Sequence, residues 1–125
     1  MRTQTEKGRI FRALHTRDTA FIIPNPWDVG TARLLAGLEF EALATTSAGY
    51  AFSLGQRDNT IDRDRMMAHV SDIVSATDLP VSADLENGFG NDPDTVAETI
   101  RRAAATGGLG YDSHPALNST GIVVR

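Results

Sequence analysis

The stretch Pro80-Val81-Ser82-Ala83-Asp84-Leu85-Glu86-Asn87-Gly88-Phe89-Gly90-Asn91-Asp92-Pro93 decides how the chain is read. A short apolar run leaves Pro80 and reaches Asp84. It passes through Leu85 to Glu86, then gives way to a Gly-Phe-Gly loop and a helix start at Asp92-Pro93. In extended backbone alternate side chains share a side, so Asp84 and Glu86 are expected to aim at one point while Leu85 turns into packing. Two carboxylates at one point repel unless a cation or a proton lies between them. Oxygen donors of this kind suit magnesium or manganese. Gly88 and Gly90 allow positive φ or close backbone approach, as a ligand-facing loop requires. A strand exit whose acids merely face water is the competing reading.

Upstream, Ala20-Phe21-Ile22-Ile23 is a compact apolar run ended by Pro24-Asn25-Pro26, which fits a buried strand entering a rigid loop. Asp28 then caps a helix with Val29, Ala32, Leu35 and Ala36 on one face and Gly37 near its end. Ala42 to Thr45 reads as a second strand, followed by Thr46-Ser47-Ala48-Gly49 and one or two helical turns from Tyr50 to Leu54. A stronger helix runs from about Asp62 to Thr77, with Met66, Val70, Ile73 and Val74 spaced to face a core. Before all of this, Thr5 to His15 fits a short helix that Gly8 weakens.

Downstream, Asp92 caps and Pro93 takes the first helical position. Val96, Ile100, Ala103 and Ala104 form the buried stripe, and Gly107-Gly108 close the helix. Strands alternating with such helices predict βα units and a parallel sheet with right-handed crossovers. A fourth strand is due after Gly108, yet residues 109–121 read as loop. Ile122-Val123-Val124 offers at most an edge strand.

The chain has 125 residues, enough for one domain or part of one. With 12 basic and 16 acidic residues, net charge −4, it has no broad footprint for nucleic acid. It contains no cysteine, which excludes disulfides, a thiolate nucleophile and a Cys-based zinc site, and suits a cytoplasmic protein. Neither a signal peptide nor an apolar run of membrane-spanning length is visible, so no membrane partner is expected. His15, His69 and His114 share no ligand spacing and read as structural or solvated. Trp27 reads as packing or as a wall of the site. Asp62, Asp64, Asp92 and Asp94 read as helix-start acids.

All three strands thus end in unusual residues, and in parallel α/β folds chemistry gathers at those ends. Pro-Asn-Pro-Trp-Asp at 24–28, Thr-Thr-Ser-Ala-Gly at 45–49, Ser-Leu-Gly-Gln-Arg-Asp at 53–58 and Ser-Ala-Asp-Leu-Glu-Asn-Gly-Phe-Gly at 82–90 resemble the isocitrate lyase and phosphoenolpyruvate mutase superfamily, over roughly residues 21–108. The resemblance implies an α/β fold, a (β/α)8 TIM barrel of parallel strands alternating with helices, in which Mg2+, or Mn2+ in its place, grips an α-keto acid or its enolate. It implies that Asp84 and Glu86 are the metal acids and that Asp58 is a further catalytic acid supporting the metal's water shell. It assigns Thr46, Ser47 and Ala48 to the substrate's oxygens.

The implied activity is a magnesium-dependent lyase or phosphonomutase acting on a small α-keto or dicarboxylic acid. It would cleave a C–C or P–C bond through a metal-stabilised enolate, in a protein that is a homo-oligomer at full length. The departures are as informative. The family's acid pair is often Asp-x-Asp. Tyr111-Asp112-Ser113 supplies no fourth-strand Glu, and the Cys-Gly-His type loop and a later substrate-binding Arg are missing. Residues 1–108 are therefore expected to be the N-terminal part of a barrel, cut after three to four βα units, and 109–125 an unrelated tail. Truncation, frameshift or internal deletion would each produce this, and weak or no activity is the expectation. The alternative is a small flavodoxin-like binding or receiver domain without catalysis.

Overall fold

The structure is a computed structural model that describes residues 1–109 and the backbone of 111 and 112. Five helices and three short parallel strands follow in the order α1 (Gln4–Thr16), α2 (Val29–Gly37), β1 (Leu43–Ala44), α3 (Ser47–Ser53), α4 (Arg63–Ala76), β2 (Val81–Asp84), α5 (Pro93–Ala105) and β3 (Tyr111–Asp112). The strands lie side by side as β1-β2-β3, with Leu43 opposite Val81 and Ala83 opposite Tyr111. Helices between parallel neighbours are the signature of βα units.

Each helix begins where its first free N–H groups find a side-chain acceptor. Asp28, Asp62 and Asp92 accept from the amides of Thr31, Arg65 and Thr95 at 2.7, 2.9 and 2.9 Å. Thr3 and Glu6 form a reciprocal capping box at the start of α1, which offsets the helix-weakening Gly8. The core gathers Met66, Val70 and Ile73 of α4, Val81 and Ala83 of β2, Leu43 and Leu85, all almost fully buried. Burying each of the larger side chains is worth about 1.5–3 kcal/mol. Ala104, expected in the stripe of α5, faces solvent, whereas Thr99 and Ala103 are buried.

Two expectations for the sheet change. Residues 20–23 do not form a strand. The segment touches the sheet through the amide of Ala44, which donates to Pro24 O at 3.1 Å, and the prolines on either side of Asn25 lack the N–H groups a ladder needs. Conversely, Tyr111–Asp112, read as loop, pairs with Ala83–Asp84 as β3, in the place where a fourth strand was due. Its two residues are too few for a hydrophobic period to mark, and the sheet neighbour supplies the order. The expected edge strand at Ile122–Val124 lies outside the described residues. No helix among them is long and apolar enough to cross a membrane.

Candidate active site

The carboxyl ends of β1 and β2 bring Ser47, Asp58, Asp84 and Glu86 together. β1 runs into Thr45, whose amide donates to Ser82 O at 2.8 Å and whose hydroxyl accepts from the Asp84 amide at 2.9 Å. That bond extends the sheet ladder by one side chain and fixes the level at which Asp84 leaves the strand. Thr45 is 3% exposed and was missed as a site residue. Its signal was a hydroxyl placed where the strand ends.

Asp84 is held on both oxygens. Oδ2 accepts from the Ser47 amide at 3.2 Å and lies 3.1 Å from the Ser47 hydroxyl, while Oδ1 accepts from the Glu86 amide at 3.1 Å. The Ser47 hydroxyl also lies 3.2 Å from Asp58 Oδ1, and that oxygen accepts from the Asn59 amide at 2.9 Å. One hydroxyl hydrogen serves one of these carboxylates at a time, so Asp58 and Asp84 compete for it.

Glu86 joins them by a route other than the expected one. β2 ends at Asp84, and Glu86 sits in the left-handed region at φ 53°. A turn, rather than extended alternation, therefore brings its side chain back. Leu85 turns into the core as expected, with no exposed surface. The Oε1 atom of Glu86 is buried without a hydrogen-bond partner among the described residues. Burial, followed by the negative charges of Asp58 and Asp84, raises the Glu86 carboxyl above its ordinary value of 4.5.

Of the remaining expected site residues, Thr46 spends its side chain as the N-cap of α3, accepting from the Gly49 amide at 3.2 Å. Ala48 is half-buried in the first turn of that helix, where backbone N–H groups lack intrahelical acceptors. Asp58 is exposed on the loop before α4. Trp27 lies beside Gly49, is 46% exposed and meets Phe52 edge-on with ring centroids 6.4 Å apart. Among the described residues no three His, Cys, Asp or Glu side chains are placed as a direct ligand set for a metal ion.

The chain as a whole is similar to known proteins. The family model for phosphoenolpyruvate phosphomutase matches residues 11–112. A crystal structure of a Burkholderia cenocepacia J2315 protein, provisionally classed as a lyase/mutase, superimposes with a TM-score of 0.86 at 69% identity, covering 87% of this chain and 39% of that one. The 2,3-dimethylmalate lyase of Eubacterium barkeri is 34% identical over 98 residues, which make up 77% of this chain and 34% of that protein. A crystal structure of oxaloacetate acetylhydrolase with the product oxalate has a TM-score of 0.76 at 28% identity, over 88% of this chain and 38% of that one. The chain thus spans between a third and two fifths of the length of these relatives. By its sequence from Phe11 to Asp112 and by its fold, it belongs to the phosphoenolpyruvate phosphomutase family, within the PEP mutase/isocitrate lyase superfamily of lyases and mutases.

Proposed function

We propose that this chain carries the cation-holding part of a magnesium-dependent lyase or phosphonomutase active site, built on the opening βα units of a (β/α)8 barrel. The substrate class is a small α-keto or dicarboxylic acid. The observation that carries the reading is the crowding of Asp58, Asp84 and Glu86, with one Glu86 oxygen buried and unpartnered among the described residues. Such a cluster has the donor chemistry of a hard divalent ion. Mg2+ keeps most of its waters and takes only one or two carboxylates directly, so a full set of protein ligands is not required of these residues.

Asp84 and Glu86 would hold the ion, and Asp58 would accept hydrogen bonds from its water shell. When bound, the cation supplies positive charge for the enolate oxygen left as a C–C or P–C bond beside a carbonyl breaks. The chain's own groups position these acids. Thr45 and Ser47 fix the angle of Asp84. The Ser47 amide is already taken by Asp84 and the Gly49 amide by Thr46, which leaves the Ala48 amide, at the positive end of α3, to face a substrate oxygen. The Trp27 ring stands beside Gly49 in the first turn of that helix.

Oxalate tests this directly, being a planar dianion shaped like the enolate of pyruvate. Calorimetric titration of the chain with oxalate should show binding that requires Mg2+ or Mn2+ and disappears in Asp84→Asn. Oxalate binding of equal strength with and without metal would overturn the proposal. A flavodoxin-like binding domain is not favoured, because the family match runs through all four motifs.

A further inference from the structure

Glu86 occupies a backbone conformation that costs an ordinary residue about 1–2 kcal/mol, so something must hold it there. The turn that contains it closes through the Gly88 amide, which donates to Leu85 O at 2.9 Å. On its N-terminal side the Glu86 amide is tied to Asp84 Oδ1. The far side of the turn is tied to one side chain from another element. Thr99, on α5 and 0% exposed, donates its hydroxyl to Gly88 O at 2.8 Å and lies 3.0 Å from Thr95 O.

Arg63, at the start of α4, donates from Nη1 to Thr99 Oγ1 at 3.4 Å. With the guanidinium as donor, the Thr99 hydrogen is directed to a carbonyl. Gly88 itself has φ 82°, and a Cβ there would stand 2.9 Å from Val96 Cγ2. α5 therefore seats directly against the turn.

We propose that Thr99 is a positioning residue for Glu86: by fixing Gly88 O it holds the 85–88 turn in the shape that returns the Glu86 carboxylate to Asp84 and Asp58. A threonine in mid-helix more commonly bonds back to its own helix. Here the shorter contact goes to the loop. The inference rests on the cation-site reading above, and two separate readouts distinguish failure of one from failure of the other.

The test compares the full chain with Thr99→Val, Thr99→Ser, Glu86→Gln and the Thr99→Val/Glu86→Gln pair. Ile73→Val, a core change on α4 outside the turn, controls for lost stability. Mn2+ affinity is measured by electron paramagnetic resonance, and exchange of the Gly88 amide hydrogen by NMR. Thr99→Val should weaken Mn2+ about threefold to tenfold and speed Gly88 exchange. Thr99→Ser should restore both, Ile73→Val should leave both unchanged, and Thr99→Val should have no further effect on affinity once Glu86 is Gln. Unchanged Gly88 exchange in Thr99→Val overturns the proposal whatever the metal does, as does an equal loss of affinity in the Glu86→Gln background. If Mn2+ binding is indifferent to Glu86→Gln while Gly88 exchange still depends on Thr99, the clamp on the turn stands, whereas the cation-site reading and the role of Thr99 in it fall.

Discussion

Ser47 and Asp84, 37 positions apart, meet twice: the amide and the hydroxyl of Ser47 both approach Asp84 Oδ2, at 3.2 and 3.1 Å. The amide contact belongs to the backbone and survives any substitution short of proline. Ser47→Ala therefore removes only the hydroxyl, which also serves Asp58. A loss of about 1 kcal/mol is expected from one such hydrogen bond, read from urea unfolding at neutral pH. An unchanged midpoint would mean that water replaces the hydroxyl without loss.

Glu86 sets a pH dependence of definite sign. Its carboxyl is held above 4.5 in the folded chain by burial and by Asp58 and Asp84, so the native state binds its proton more tightly than the unfolded chain does. The stability this contributes is complete below about pH 4.5 and is lost as pH rises through the raised native value. Glu86→Gln should accordingly match the wild type at pH 4 and exceed it at pH 7 without metal, by denaturant midpoint. Saturating Mg2+ should narrow that gap. A mutant less stable than the metal-free wild type at pH 7 contradicts the assignment.

His69 works in the opposite sense. It is 5% exposed and stacks on Tyr50 with ring centroids 3.8 Å apart, and its Nε2 atom has no partner among the described residues. Burial lowers its value from 6.5 to about 4, against the pull of Asp72 and Asp28. The folded chain thus favours the neutral ring, and stability falls as pH drops from 6.5 through about 4, by at most about 3 kcal/mol. His69→Phe keeps an aromatic ring for Tyr50 and removes the proton, so the slope of unfolding free energy over that window should flatten. An unaltered slope would assign the acid sensitivity to other groups.

Gly49 admits no side chain. A Cβ there would stand 2.3 Å from the Trp27 ring and 2.6 Å from Thr46 Cγ2. Gly49→Ala should displace the indole, at a cost of about 1–3 kcal/mol. Trp27 is the chain's one tryptophan, so its fluorescence reports the displacement as a shift toward the emission of solvated indole. Unshifted emission with full stability would show that the helix start yields instead of the ring.

How much of this was legible in the sequence depends on how local each signal is. The starts of α2, α4 and α5 were readable because Asp28, Asp62 and Asp92 each act within three residues of themselves. The strand expected at Ala20–Ile23 and the loop expected at Tyr111–Asp112 were misread because a strand is defined by its neighbours, and four apolar residues do not say who pairs with them. At the site, the choice of Asp58, Asp84, Glu86 and Ser47 came from motifs, and the structure brings those four side chains together. The means were not legible. Thr45 reaches across 39 positions and Thr99 across 11, and the left-handed turn at Glu86 replaces the extended geometry that the spacing of two acids implied.

The acids at 58, 84 and 86 are proposed to gather a divalent cation. Titrating Mn2+ into the wild type, Asp84→Asn and Glu86→Gln, with free Mn2+ followed by electron paramagnetic resonance, tests this most directly. One ion should bind per wild-type chain and be displaced by Mg2+, with binding weakened at least tenfold in each variant. Wild-type protein that binds no Mn2+, or three proteins that bind it equally, would contradict that proposal.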